Sequence, residues 1–143
     1  PMFSEDLEAA SFPAAALELK KRMIAADAIL IASPKYNGSI SGALKNAIDW
    51  ASRPREGEAS LACFKGKVVG LLAASPGAIG GLRGLRHVRQ IMTQLHSVVI
   101  PQEFALGTAH AAFDDDGNIK DERSASFAKS VGDSLSEITR KLK

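Results

Sequence analysis

Two short runs of apolar residues, Ala28-Ile29-Leu30-Ile31-Ala32 and Val68-Val69-Gly70-Leu71-Leu72-Ala73, constrain this chain more than any other feature of it. Neither run alternates polar with apolar. A strand with one wet face does alternate, because successive side chains point to opposite sides of the sheet. Runs that stay apolar throughout read as strands covered on both faces. That is the habit of parallel sheets sandwiched between helices.

The segments between and around the runs carry a helical period instead. Ser11-Phe12-Pro13 opens a helix, with Ser11 or Phe12 at the cap and Pro13 in the first turn, where a missing N–H is harmless. Leu19, Met23 and Ala26 recur along it at helical spacing, and Asp27 ends it. Leu44, Ala47, Ile48 and Ala51 form a second apolar face, with Ser39 or Ser41 placed to cap and Pro54 beyond the end. Residues 53–65 make a charged connection. Leu85, Val88, Met92 and Leu95 form a third face. Ser97–Ile100 is predicted as a third, short strand stopped by Pro101. Residues 1–12 and 101–120 are predicted irregular, the latter with a turn at Asp114–Asn118. A last helix is predicted from about Asp121 to Leu142, with Phe127, Val131, Leu135, Ile138 and Leu142 facing inward. The resulting order, α-β-α-β-α-β-α, predicts an α/β chain: a parallel sheet, right-handed crossovers and helices on both faces. A length of 143 residues suits one domain, residues 1–143.

Composition then removes several classes of function. A formal charge of +2 is too small to argue for a nucleic-acid partner. No apolar run is long enough to span a bilayer. The segment PMFSEDLEAA lacks a basic patch followed by an apolar stretch, and a lone cysteine cannot form an internal disulfide. Both point to the cytoplasm. Cys63 reads as a structural thiol, with no base near it in sequence. His87, His96 and His110 lack metal-ligand spacing, so no metal is predicted and surface or interface histidines are the default. Arg83, Arg86 and Arg89 read as a solvated helix face. The glycines at 77, 80, 81 and 84 do not form G-x-G-x-x-G. Asp114–Gly117 does not supply a calcium loop, because Ala112 and Arg123 would fall on ligand positions. Ser75 lacks the first glycine of a hydrolase elbow.

In open α/β sheets, ligands bind outside the carboxyl ends of the strands. Two loops fall there. Ser33-Pro34-Lys35-Tyr36-Asn37-Gly38-Ser39 follows the first run, and Ser75-Pro76-Gly77-Ala78-Ile79-Gly80-Gly81 follows the second. Both offer backbone N–H groups with little side-chain bulk, which suits close approach to a flat heterocycle. Tyr36 adds an aromatic surface. Each loop alone reads more readily as a plain strand-to-helix turn; two at one sheet rim favour a ligand site.

The stretch from Ser33 through Trp50, SPKYNGSISGALKNAIDW, resembles the signature of the NADPH-dependent FMN reductase family, which includes quinone, chromate and azo-dye reductases. The family pattern is P-x-Y-N-x-S followed by P-G-x-L-K-N-A-I-D-W. Residues 75–81 resemble its second flavin loop. Ser41 stands where the family often has Pro, and Lys35 where many members carry Glu or Gln. The resemblance implies a flavodoxin-like three-layer sandwich with FMN as cofactor and NADPH or NADH as co-substrate. It implies that Pro34 shapes the first loop. Lys35 would set the charge near the ring, and Tyr36, Asn37, Gly38 and Ser39 would line it. Ser75, Gly77, Gly80 and Gly81 would border its pyrimidine end. Lys45, Asn46, Asp49 and Trp50 would support the helix and a subunit interface, in a homodimer or homotetramer. No residue is implied as catalytic, since the flavin carries hydride to a quinone-like or other small acceptor. The competing expectation is a non-catalytic flavodoxin-like module, an electron carrier or partner-binding domain. The family's first strand and Ser/Arg-rich phosphate loop precede the segment equivalent to Pro1. On that basis the chain is expected to be N-terminally incomplete, with Ala28–Ala32 as an open edge and FMN held weakly.

Overall fold

A computed structural model describes residues 1–143. Its elements are α1 (Glu5–Ala10), α2 (Ala14–Ala25), β1 (Ala28–Ala32), α3 (Gly42–Ser52) and β2 (Val68–Ala74), then α4 (Leu82–Gln94), β3 (Val98–Leu106), α5 (Ala109–Ala112) and α6 (Glu122–Leu142). The three strands pair in the order β1-β2-β3, all parallel. This is the α/β architecture that the apolar runs predict.

The side chains of β2 divide between two layers. Val69, Leu71 and Ala73 point to α3 and α4, where Ile48, Phe64, Leu85, Val88 and Met92 close the larger core. Val68 faces the other way and joins Ile100, Val131 and Leu135 beneath α6. Each such side chain removed completely from water contributes about 1.5–3 kcal/mol before entropy is counted. Gly70 sits under the same helix, and a Cβ there would lie 3.0 Å from Leu30 and 3.3 Å from Val131. Its missing side chain lets both close over the central strand.

Burial of β1 is less complete than its composition predicts. It pairs only with β2, and Leu30 is 49% exposed. It is an open edge, as the resemblance implies. Cys63 is fully buried in the larger core with its sulfur 3.8 Å from the Lys20 carbonyl oxygen, and burial pushes its thiol pKa up. Lys20 is itself only 3% exposed. Its ammonium donates to the Arg53 carbonyl at 2.6 Å and the Ala51 carbonyl at 3.4 Å, and pairs with Glu58 at 2.8 Å. It thereby ties α2 to the carboxyl end of α3, where unpaired carbonyls attract a cation.

Several expectations need correction. Residues 1–12 are not all loop: Ser4 caps α1 through the Leu7 N–H. Ser11 ends α1, and Pro13 precedes α2 with no side-chain cap, so neither Ser11 nor Phe12 caps that helix. Phe12 packs instead against Trp50, edge to face at 5.1 Å. Pro101 does not stop β3. Between the pairs Val69–Val99 and Leu71–Glu103, β3 carries Ile100, Pro101 and Gln102 opposite Gly70 alone. The bulge absorbs a residue without an N–H, on a strand whose outer edge is free. The strand therefore continues to Leu106, into a segment predicted irregular. On α6, Val131 and Leu135 are buried as expected, but Phe127 and Leu142 are 51% and 59% exposed. Phe127 stacks on Phe104 with ring centroids 6.5 Å apart.

Candidate active site

At the end of β1, the Ser33 N–H still donates to the Leu72 carbonyl at 2.9 Å, which prolongs the ladder by one residue. The chain then leaves the sheet and reverses. Tyr36 and Ser39 exchange both backbone hydrogen bonds, each at 2.9 Å, across Asn37-Gly38. The central residues have φ of 48° and 88°. Two positive φ values define a tight mirror-image turn, and Asn-Gly is the pair that adopts it most readily. Tyr36 is held at its rim with its ring 61% exposed. Ser41 then caps α3 by accepting from the Leu44 N–H at 3.1 Å.

The second loop is shaped from outside. The Ser75 N–H donates to the Leu106 carbonyl at 3.0 Å, and the Ser75 carbonyl accepts from the Ala109 N–H at 3.0 Å. Gly80, with φ of 60°, lies against the backbone of β3. A Cβ there would be 2.5 Å from the Ala105 carbonyl carbon. Gly81, with φ of 93°, begins α4. So closely seated, the loop leaves the N–H groups of Gly77, Ala78, Ile79 and Gly81 without an acceptor inside the chain. Unpaired N–H groups before a helix of this length favour an electronegative partner.

The two loops touch. A Cβ on Gly81 would lie 3.6 Å from the Lys35 Cβ, and one on Gly84 would lie 3.3 Å from the Ser39 carbonyl oxygen. They therefore share one rim, at the carboxyl ends of β1 and β2. Of the predicted residues, Lys35 and Gly81 meet directly, and Ser39 meets Gly84. Tyr36, Asn37 and Gly38 form the exposed tip of the first loop, and Ser75 and Gly77 the outer part of the second. Gly80 is buried and shapes the second loop from behind. Pro34, with Ser33 and Ala74, borders an apolar cleft of about 380 Å³ on the α6 side of the rim. Leu72, Phe104, Leu106 and Phe113 complete its walls.

Sequence reasoning missed two features near this rim. His87 is a surface residue, as expected, but its Nδ1 lies 2.8 Å from the Ser39 hydroxyl. Arg86 is solvated as expected, with its side chain 59% exposed, whereas Arg89 is half-buried. Both pair with Glu103 of β3, at 2.9 and 2.8 Å, and so brace α4 against the sheet. Neither pairing has a local signal, because each partner lies far along the chain. Asn46 and Trp50 fasten the N-terminal segment to α3: the Asn46 side-chain amide and the Trp50 indole both donate to the Pro1 carbonyl, at 2.9 and 3.0 Å. Lys45 and Asp49 pair with each other at 2.6 Å on the outer surface of α3. Asp114 accepts from the Asp116 and Asn118 N–H groups at 3.1 and 2.7 Å, the turn that its sequence predicts. No helix is long and apolar enough to cross a membrane, and no three or more His, Cys, Asp or Glu side chains are grouped to hold a metal ion.

Comparison with known proteins bears on this rim. The family model for NADPH-dependent FMN reductase matches residues 1–111. An NAD(P)H-dependent FMN reductase of Pseudomonas aeruginosa is 37% identical over 145 aligned residues, covering 100% of this chain and 75% of the relative. A quinone reductase of Pseudomonas putida is 36% identical, covering 85% of this chain and 64% of that protein. Among solved structures, FerB, a flavoenzyme NAD(P)H:(acceptor) oxidoreductase of Paracoccus denitrificans, superposes with a TM-score of 0.84 at 33% identity. That alignment covers 99% of this chain and 75% of FerB. The sheet is thus of the flavodoxin-like kind, and the chain belongs to the NADPH-dependent FMN reductase family.

Proposed function

We propose that residues 1–143 act as one flavodoxin-like unit of an FMN-dependent NAD(P)H oxidoreductase, with a quinone-like or other small molecule as acceptor. The observation that carries this reading is the pair of loops in contact at one rim, the second with four unpaired N–H groups. That donor set fits FMN, whose ring presents several electronegative atoms along one edge. Gly77 and Gly81 would offer donors to the pyrimidine end, with Ser75 beside them and Gly80 keeping the loop in place. Pro34, Lys35, Tyr36, Asn37, Gly38 and Ser39 would hold the ring from the other side. When bound, FMN supplies hydride acceptance from NADPH or NADH and release of electrons to the acceptor.

The chain's own part is position and access. Donors fixed before the ligand arrives need no reorientation when charge develops near them. Tyr36 at the rim would shield one edge of the ring from water, and the Lys35 ammonium would add positive charge nearby. No protein nucleophile is required for this chemistry, which agrees with a rim built of small residues and amides.

Homo-oligomerisation and a cytoplasmic location belong to the same reading. A polar groove between α3 and α4, with Lys45, Asp49, Gln90 and Gln94 in its walls, supports the first. The single unpaired cysteine supports the second. The test is to titrate FMN into the purified chain and follow quenching of its fluorescence, then follow NADPH or NADH consumption with a quinone present. Saturable quenching and acceptor-dependent consumption are expected. A chain that leaves both FMN fluorescence and the nicotinamide unchanged would sink the proposal and leave the non-catalytic module in its place.

A further inference from the structure

We propose that His87 is a positioning residue that holds the Tyr36–Ser39 turn against α4 for the flavin, an inference that rests on the function proposed above. The argument begins with what ties that turn down. Its own two backbone hydrogen bonds fix its shape but not its place. Ser33 joins the sheet before it, and Ser41 caps α3 after it. Between them, apart from the Ser33 hydroxyl donating to the adjoining Pro34 carbonyl, residues 34–40 make one hydrogen bond to the rest of the molecule: the Ser39 hydroxyl to the His87 Nδ1, at 2.8 Å. The backbone of Ser39 is already committed to Tyr36, so its side chain alone is free to reach α4.

The placement suits the task. His87 lies one turn beyond Gly84, whose bare α-carbon lets the Ser39 carbonyl approach the helix. Glycine thus permits the contact and histidine fastens it. Either neutral tautomer keeps the bond, because the hydroxyl donates to a bare Nδ1 or accepts from Nδ1–H. Lys45, Asp49 and Gln90 border the same groove, and Lys45 and Asp49 are satisfied by each other. With the bond cut, nothing outside the turn would hold it: its two internal hydrogen bonds would open more often, and Tyr36, Asn37 and Gly38 would lose their fixed distance from Gly81.

The test uses His87→Ala, His87→Asn, Ser39→Ala and the double variant H87A/S39A. The Asn side chain places a polar atom close to the position of Nδ1. Amide hydrogen exchange at Tyr36 and Ser39 is measured without flavin, and FMN affinity by fluorescence quenching. A neutral hydrogen bond of this kind predicts exchange about fivefold faster and FMN binding about fivefold weaker in His87→Ala. His87→Asn is expected to restore most of both. Cutting the second partner is expected to add nothing to exchange, so the double variant should exchange like either single one, and its FMN affinity should match that of Ser39→Ala. Unchanged exchange, additive effects, or faster exchange with undiminished FMN affinity would each overturn the proposal. Wild-type protein that takes up no FMN would defeat the functional reading, and the flavin role of His87 with it. The exchange measurement would still show whether His87 fixes the turn.

Discussion

The two loops at the rim reach similar compactness by opposite means. The first closes on itself: Tyr36 and Ser39 bond across Asn37-Gly38, and a single side-chain hydrogen bond fastens the result to α4. The second has little internal bonding. It is moulded by β3, with Gly80 against the Ala105–Leu106 backbone and Gly107 against the Ala78 carbonyl oxygen. A turn that satisfies its own donors presents side chains to a ligand. A loop held from behind by another strand keeps its donors free to face outward. The difference explains why one carries a tyrosine at its tip and the other carries almost nothing but small residues.

The contrast is open to direct attack. The largest effect is expected at Gly80, where a methyl group would collide with main chain that cannot rotate away. Gly80→Ala should cost about 3 kcal/mol, read as a lower urea midpoint. A loss below that of Gly38→Ala would mean that β3 does not mould the second loop. Gly38 has φ of 88° but open space around it, so its cost is conformational alone. Gly38→Ala should lose about 1–2 kcal/mol by the same measurement, with the second loop's amide resonances unmoved. The smallest effect is expected at the seam. Gly84→Ala gains about 1 kcal/mol of helix propensity and loses a similar amount against the Ser39 carbonyl. Its stability should stay within about 0.5 kcal/mol of wild type, while resonances of Lys35 to Ser39 shift. A chemical-shift map in which those residues stay put would remove the contact on which the shared rim depends.

What the sequence disclosed was local or periodic. The runs at 28–32 and 68–73 announced strands, because an apolar stretch without alternation has few other uses. The Asn37-Gly38 pair announced a turn, and Ser41 a cap. What escaped depended on partners distant in the chain. Pro101 looked like a terminator because its missing N–H counts against a strand, and only the bulge opposite Gly70 makes it harmless. The pairing of Arg86 and Arg89 with Glu103 escaped because Glu103 stands on another element. The place of the rim followed from the order of elements, but the tie from His87 to Ser39 did not: a histidine on a helix announces no partner. Leu30 looked like core and is half exposed, since composition reports what a strand can bury, not which neighbours it has.

The sealed position of Cys63 has a practical consequence. Only a thiolate reacts quickly with alkylating reagents. This one is shut away from water, its ionisation is suppressed, and no second cysteine competes for label. The rate at which it is labelled in native buffer therefore works as a stopwatch for the opening of the layer between β2 and its covering helices. The protein carries, without engineering, a one-site chemical recorder of how often its interior comes apart.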